Sequence, residues 1–201
     1  SSDLASEIER NLIKMIRAAH PLLQKTYQLV IACAPAVNPA FYEKVLARLT
    51  ADERRHLHLV RNETYPLLSY AAAALVTSGT ATLETALFNV PQVVCYHTDA
   101  GKLVSFMRRL VLKVKYISLV NLICDQEVVN ELVADDMTVS NVRQALVDIL
   151  PEGCKHEALL SGYEQMRLRL GGLGAPQRVA EEVYGRLQPE KIRSKRKHEG
   201  F

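Results

Sequence analysis

The stretch Ala74-Leu-Val-Thr-Ser-Gly-Thr-Ala-Thr-Leu-Glu84 holds the residues best suited to chemistry in this sequence. A run of small apolar residues stops at Ser78-Gly79-Thr80, and a helix-like stretch follows. The first N–H groups of a helix have no intrahelical acceptor and carry partial positive charge, so such a junction suits a phosphate. Gly79 permits φ > 0 and close approach of a ligand to the backbone. Ser78, Thr80 and Thr82 carry hydroxyls that either cap the helix or donate to phosphate oxygens. Glu84 would repel a phosphate unless it points elsewhere, and acidic groups near a bound nucleotide usually face ribose hydroxyls. Capping alone also accounts for these residue types, with Glu84 complementing the helix dipole. The local sequence leaves both readings open.

The surrounding elements decide where such a junction sits. Leu4, Ile8, Leu12, Met15, Ile16 and Ala19 have helical spacing, and His20-Pro21 ends or kinks that helix. Residues 27–33 are apolar and rich in β-branched types, which predicts a strand. Asn38 caps, and Pro39 opens, a helix reaching about Leu49. The pattern then predicts a strand at 56–60, a helix at 64–70, a strand at 73–77, a helix at 80–88 and a strand at 92–96. Residues 102–112 form a basic amphipathic pattern, and 116–120 read as the last strand. Helices are expected over 127–134, 139–149 and 152–170, with Asp136 capping the second of these near Thr138. A glycine-rich break at 171–174 precedes a closing helix over 176–187.

Strands alternating with helices predict an α/β fold with a Rossmann-like, doubly wound parallel sheet covered on both faces. The junction at Ser78–Thr80 then lies at the carboxyl end of a strand, where open α/β sheets bind ligands. A doubly wound sheet normally opens with a strand, yet this chain opens with a helix. The expectation is that a first strand lies upstream, and that the sheet edges left bare invite pairing with a second copy.

Composition narrows the class. Of 201 residues, 48% are hydrophobic and 23% charged, as in a soluble globular domain. No apolar run reaches the roughly 18 residues of a membrane span, and no signal peptide is evident, which reads as cytoplasmic. A net charge of +3 is too mild to argue for nucleic acid. Much of the surplus sits in a basic tail, residues 191–201, either a solvated terminus or a segment drawn to an anionic membrane. Cys33, Cys95, Cys124 and Cys154 are scattered, and the histidines are dispersed, so neither a disulfide nor a metal site is expected. Asp135-Asp136 superficially resembles a metal pair, and helix capping is the simpler role. The basic pattern at 102–115 suits either a helix packed on the sheet or a membrane-surface helix. His97 follows a strand and is either a bystander or a ligand contact.

With these residues in view, the sequence resembles bacterial lipid-A-disaccharide synthase. Ala74 to Glu84 followed by Val90-Pro-Gln-Val-Val-Cys-Tyr96 is similar to that family's donor-site segment. Tyr116-Ile-Ser-Leu-Val-Asn-Leu122 resembles its Tyr-(Ile/Val)-Ser-Leu-Pro-Asn-Leu motif, and Glu127-Val-Val-Asn-Glu-Leu-Val133 the stretch after it. Ala34-Pro35 through Phe41-Tyr42, and 175–187, match in order, so the resemblance covers about residues 5 to 188.

The resemblance implies the C-terminal, donor-binding domain of a GT-B glycosyltransferase, here residues 1–190. It implies transfer of 2,3-diacylglucosamine from its UDP donor to lipid X, giving lipid A disaccharide and UDP. It implies no metal or other cofactor, a cytoplasmic location peripheral to the inner membrane, no nucleic-acid partner and a homodimer in some members. Ser78, Gly79, Thr80, Ala81 and Thr82 would meet the diphosphate, and Glu84 the ribose. Asn121 and Glu127 would lie at the mouth of the same site. The general base would belong to the other half, so no catalytic residue is assigned here.

Three departures bear on activity. Ser2-Asp3-Leu4 stands where the family has Gly-Ser-Arg, Val120 where it has Pro, and Gln126 where it has Arg. Loss of two cations would weaken a diphosphate site. The alternative reading is therefore a non-catalytic half-enzyme that folds or dimerises without activity. Another UDP-sugar enzyme of the same architecture, an epimerase or the peptidoglycan-precursor transferase, is disfavoured by the Ser-Leu-x-Asn-Leu segment.

Overall fold

The computed structural model describes residues 2–23, 27–77, 79–96, 115–171 and 184, with the side chains of the first helix described from Glu9 onward. Ser78, His97, the 102–112 pattern, the 172–174 break, the 176–187 helix and the 191–201 tail lie outside the described residues. The chain divides into two units, Ser1–Met166 and Arg167–Phe201. In the second unit the last turn of a helix ends at Leu170, and Gly171 follows at φ 77° in the left-handed conformation that commonly stops a helix.

Elements follow one another as α1 Ser2–Leu23, β1 Leu29–Cys33, α2 Pro39–Leu46, α3 Ala51–Arg54, β2 Leu57–Arg61 and α4 Thr64–Tyr70. Then come β3 Ala74–Val76, α5 Thr80–Leu87, β4 Gln92–Tyr96, α6 Leu119–Cys124, β5 Asn130–Val133, α7 Val139–Ile149 and α8 His156–Leu170. All strand pairs among the described residues are parallel. They fall into two sheets, β1-β2 and β3-β4-β5. This is an open, Rossmann-like α/β architecture, as the alternating pattern predicts.

Central β4 shows what a fully covered parallel strand looks like. Val93, Val94 and Cys95 are completely buried, between β3 and β5. Ala18 and Ala19 of α1, Val142 and Ile149 of α7, and Tyr163 and Met166 of α8 complete the same apolar cluster. A second cluster joins Ile16 of α1 to Leu46 and Leu49, against Leu57 and Leu59 of β2. Cys33, Cys95 and Cys124 are buried. Burial pushes the Cys95 thiol up to about 12, so it behaves as a small apolar side chain.

Several elements form for local reasons. Asn38 caps α2 by accepting from Ala40 N at 2.9 Å, with Pro39 at the first helical position. Thr50 and Glu53 make a reciprocal capping box that starts α3, a helix not evident in the sequence pattern. Thr138, rather than Asp136, caps α7 through Asn141 N at 3.1 Å. Asp136 lies in a 3₁₀ turn just before it.

Pro21 neither ends nor breaks α1, which runs on to Leu23. A proline has no N–H for the carbonyl four residues back, here Arg17 O. Arg143 of α7 takes that place, donating from Nη2 to Arg17 O at 3.2 Å and from Nε to Ala18 O at 3.3 Å. The helix survives because a neighbouring side chain satisfies what the proline leaves open.

The stretch that departs most from expectation is 116–134. Residues 116–120 are not a strand, and 127–134 are not a helix. Ser118 instead caps α6 by accepting from Asn121 N at 3.2 Å, and Asn130–Val133 forms β5 beside β4. Asp125 at φ 48° closes α6. Pairing with β4 overrides the helical preference of the Glu and Leu residues around position 131.

Candidate functional site

Gly79 follows β3 and is the N-cap of α5, with φ 76° and ψ −152°. That region of backbone space is essentially reserved for glycine. A Cβ built there would meet nothing within 4 Å. The glycine is therefore required by backbone conformation, and no described residue fills the space beside it. Among the described residues no side chain caps α5 or α4, whereas Asn38, Thr50, Ser118 and Thr138 cap α2, α3, α6 and α7. Thr80 is the first helical residue and not a cap, so the capping role open to it in the sequence is not the one it takes. The N–H groups of Thr80 and Ala81 have no intrahelical acceptor.

Around this junction the predicted residues divide into two kinds. Gly79, Thr80 and Ala81 are exposed. Glu84 is half-buried and four residues beyond Thr80, on the same face of α5. Thr82 is fully buried and fixes the turn. Its hydroxyl donates to Gly79 O at 2.8 Å and accepts from Leu119 N at 3.3 Å, while its carbonyl accepts from Gln92 Nε2 at 2.8 Å. Thr82 thus ties the start of α5 to the start of α6 and to β4, and its hydroxyl is occupied in doing so.

Asn121 is also fully buried. Its Nδ2 donates to Val129 O and to Glu131 Oε1, both at 2.8 Å. Its Oδ1 accepts from Val128 N at 2.8 Å and Val129 N at 2.9 Å. Two donors and two lone pairs are all a primary amide has, so nothing is left for a ligand. Glu131 completes the clamp, accepting from Ile117 N and Ser118 N at 2.8 Å each. This carboxylate sits at the N-terminus of α6, where the helix dipole favours it. Residues 116–122 are thus held by β5 rather than by a ligand. Sequence reasoning missed Glu131, because its partners lie 10 to 14 residues earlier and no local pattern marks it.

Glu127 precedes β5, so it lies at the amino end of a parallel sheet whose carboxyl end carries Gly79. The structure does not bring it to the junction. It lines a cavity of about 320 Å³ with Gln126, Lys155 and Gln165, over Ile149 and Leu159. Gln126 donates to Gln165 Oε1 at 3.1 Å, so this departure from the family pattern also lies away from Gly79. Val120, in the place of the family's Pro, is buried in the first turn of α6, where a backbone N–H has no helical partner and either residue fits.

A parallel α/β domain with a glycine-led helix at the carboxyl end of a strand defines the class: a Rossmann-like domain. Sequence comparison assigns the family. The family described as lipid-A-disaccharide synthetase matches residues 4–172. The lipid-A-disaccharide synthase of Myxococcus xanthus is 33% identical over 188 residues, covering 92% of this chain and 48% of that protein. The synthases of Anaeromyxobacter sp. (strain K) and Prochlorococcus marinus are each 34% identical, covering 90% and 87% of this chain and 46% and 45% of their own. The chain belongs to the lipid-A-disaccharide synthase family, and it spans about half the length of the curated relatives it matches. No helix among the described residues is long and apolar enough to cross a membrane.

Proposed function

We propose that this chain is the donor-binding half of a glycosyltransferase of lipid A biosynthesis. The reaction moves 2,3-diacylglucosamine from UDP to lipid X, forming lipid A disaccharide and releasing UDP. Family membership supports the activity. One observation supports this placement of the donor: Gly79 at φ 76° starts α5 at the carboxyl end of β3, with no side-chain cap among the described residues. The N–H groups of Thr80 and Ala81, with the Thr80 hydroxyl, receive the diphosphate. Ser78 adjoins them in sequence. Charge that builds on UDP as the glycosidic bond breaks is met there by donors already in position. Glu84, on the same face, takes the ribose hydroxyls, which keeps its carboxylate off the phosphates. Thr82 and Asn121 act by positioning, holding the turn and α6. Acylated substrates place the reaction at the inner-membrane surface, with the protein peripheral to it.

The test is calorimetric titration of the chain with UDP and with uridine, without Mg²⁺. UDP is expected to bind and uridine to bind at least about tenfold more weakly, a difference of about 1.4 kcal/mol. Glu84→Ala is expected to weaken both. Equal binding of the two ligands, or no UDP binding at millimolar concentration, contradicts the proposal.

A further inference from the structure

We propose that Tyr65 and Phe88 form a stacking platform for the base of the bound nucleotide. The platform rests on the reading that places the diphosphate at Thr80 and Ala81, and extends that site to the rest of the ligand. Its basis is the division of α5 into two faces. Thr82, Thr85 and Ala86 are buried against the domain. Thr80, Ala81, Leu87 and Phe88 are exposed, and Glu84 is half-buried. Phe88 N donates to Glu84 O at 3.2 Å, so the helical turn continues through Phe88 and keeps it on the face of Glu84. Asn89 follows at φ 60°, and Val90 N closes the end by donating to Thr85 O at 3.1 Å.

Tyr65 joins this face from α4. Its ring is stacked on that of Phe88, with centroids 5.5 Å apart and planes 20° from parallel. The helix that carries it is anchored, since Leu68 is buried and Ser69 Oγ donates to Tyr65 O at 3.0 Å. Even so, Tyr65 is 57% and Phe88 39% exposed. Single apolar side chains on a surface are ordinary. Two rings already ordered against each other, with ring surface still open to water, are a different feature. A third flat ring can cover that surface without ordering either side chain afresh.

Order along the helix selects the occupant. The same side of α5 presents the Thr80 and Ala81 N–H groups, then the Glu84 carboxylate, then the Tyr65–Phe88 pair. At 1.5 Å of rise per residue, Glu84 lies about 6 Å from Thr80 along the axis, and Phe88 about 6 Å further. A nucleoside diphosphate presents a diphosphate, a ribose and a flat heterocycle in that order. Stacking on aromatic side chains accepts any base, because every base has a π face. The pair therefore adds affinity for the nucleotide without choosing among bases.

The full chain is titrated calorimetrically with UDP and with inorganic pyrophosphate, without Mg²⁺, and the ring protons of Tyr65 and Phe88 are followed by NMR. Tyr65→Leu and Phe88→Leu keep apolar bulk and remove the ring, and Tyr65→Phe restores it. Far-UV circular dichroism checks that each variant is folded. UDP binding is expected to weaken at least about tenfold in each Leu variant and to stay within about twofold of the parent in Tyr65→Phe. Pyrophosphate binding should stay within about twofold of the parent in all three. UDP, and not pyrophosphate, should move the ring protons upfield. Unchanged UDP affinity in the Leu variants, with amide shifts at Gly79 to Ala81 and none on the rings, overturns the platform and leaves the diphosphate reading standing. Equal weakening of UDP and pyrophosphate also overturns it, because the substitutions would then act by displacing α5. Uridine supplies the converse arm. Ring shifts with uridine, and no response of Gly79 to Ala81 to UDP or pyrophosphate, would support the platform and refute the diphosphate reading; rings silent to uridine and UDP alike refute the platform.

Discussion

Replacing Asn121 by Ala removes an amide that makes four hydrogen bonds inside a fully buried site. The groups left behind are Val128 N, Val129 N, Val129 O and one oxygen of Glu131. Val129 is completely buried, so water cannot replace what its N–H and C=O lose. An orphaned buried polar group costs about 1–3 kcal/mol, and Val128 and Glu131, being half-buried, recover part of theirs from solvent. The expected cost is about 3–4 kcal/mol, a large share of the 5–15 kcal/mol typical of a domain. With a urea dependence of about 2 kcal/mol per molar, the midpoint falls by about 1.5–2 M. The chain contains no Trp, so far-UV circular dichroism is the appropriate probe. Asn121→Asp should be no better, because it loses both donors and sets a second carboxylate against Glu131. The reasoning fails if Asn121→Ala unfolds within about 1 kcal/mol of the parent yet no longer binds UDP. That result would make Asn121 a ligand residue, as the family resemblance implies.

Three further outcomes are expected. Arg143→Ala should destabilise the chain by about 1–2 kcal/mol in urea unfolding, the range for hydrogen bonds from a charged donor. The loss should shrink in a Pro21→Ala background, where a restored N–H serves Arg17 O; equal losses in both backgrounds contradict the account of α1. Gly162→Ala should cost about 1–3 kcal/mol by thermal unfolding, since a Cβ there would run into Val128 Cγ1, and an unchanged midpoint would show that α8 can shift. The Glu53 carboxyl is held below its ordinary value of 4.5, chiefly by the Thr50 N–H and then by Arg17. Its contribution to stability is present above that value and is lost as pH falls through the lower folded value. Stability should therefore drop less steeply below about pH 4.5 in Glu53→Gln than in the parent, and parallel profiles would refute the capping box as the cause.

How far the sequence reveals this structure depends on how local each determinant is. Asn38-Pro39 carries both its cap and its first turn within three residues, and α2 starts where they predict. The stretch 92–96 is a continuous buried strand, and β4 has those bounds. Gly79 was readable as a position that permits positive φ, and it takes φ 76°. The region 116–134 was not readable, because the Ser118 that caps α6 is itself held, with Ile117, by a carboxylate on β5. A run such as Tyr-Ile-Ser-Leu-Val has strand composition, and the Ser118 cap, with Glu131 on the Ser118 N–H, turns its end into a helix. The continuation of α1 past Pro21 depends likewise on Arg143, over 120 residues away. Glu127 was grouped with Gly79 by the family resemblance. Resemblance does not say which end of a parallel sheet a residue occupies; Glu127 precedes β5 and so lies at the amino end of a sheet whose carboxyl end carries Gly79.

The central claim is that the backbone amides at the start of α5 receive the diphosphate of the donor. Amide NMR of the isotopically labelled chain, titrated with UDP in the absence of Mg²⁺, tests it most directly. The account predicts saturable shifts largest at Gly79, Thr80 and Ala81. Shifts centred instead on Gln126, Glu127 and Lys155, or none anywhere up to millimolar UDP, would contradict it.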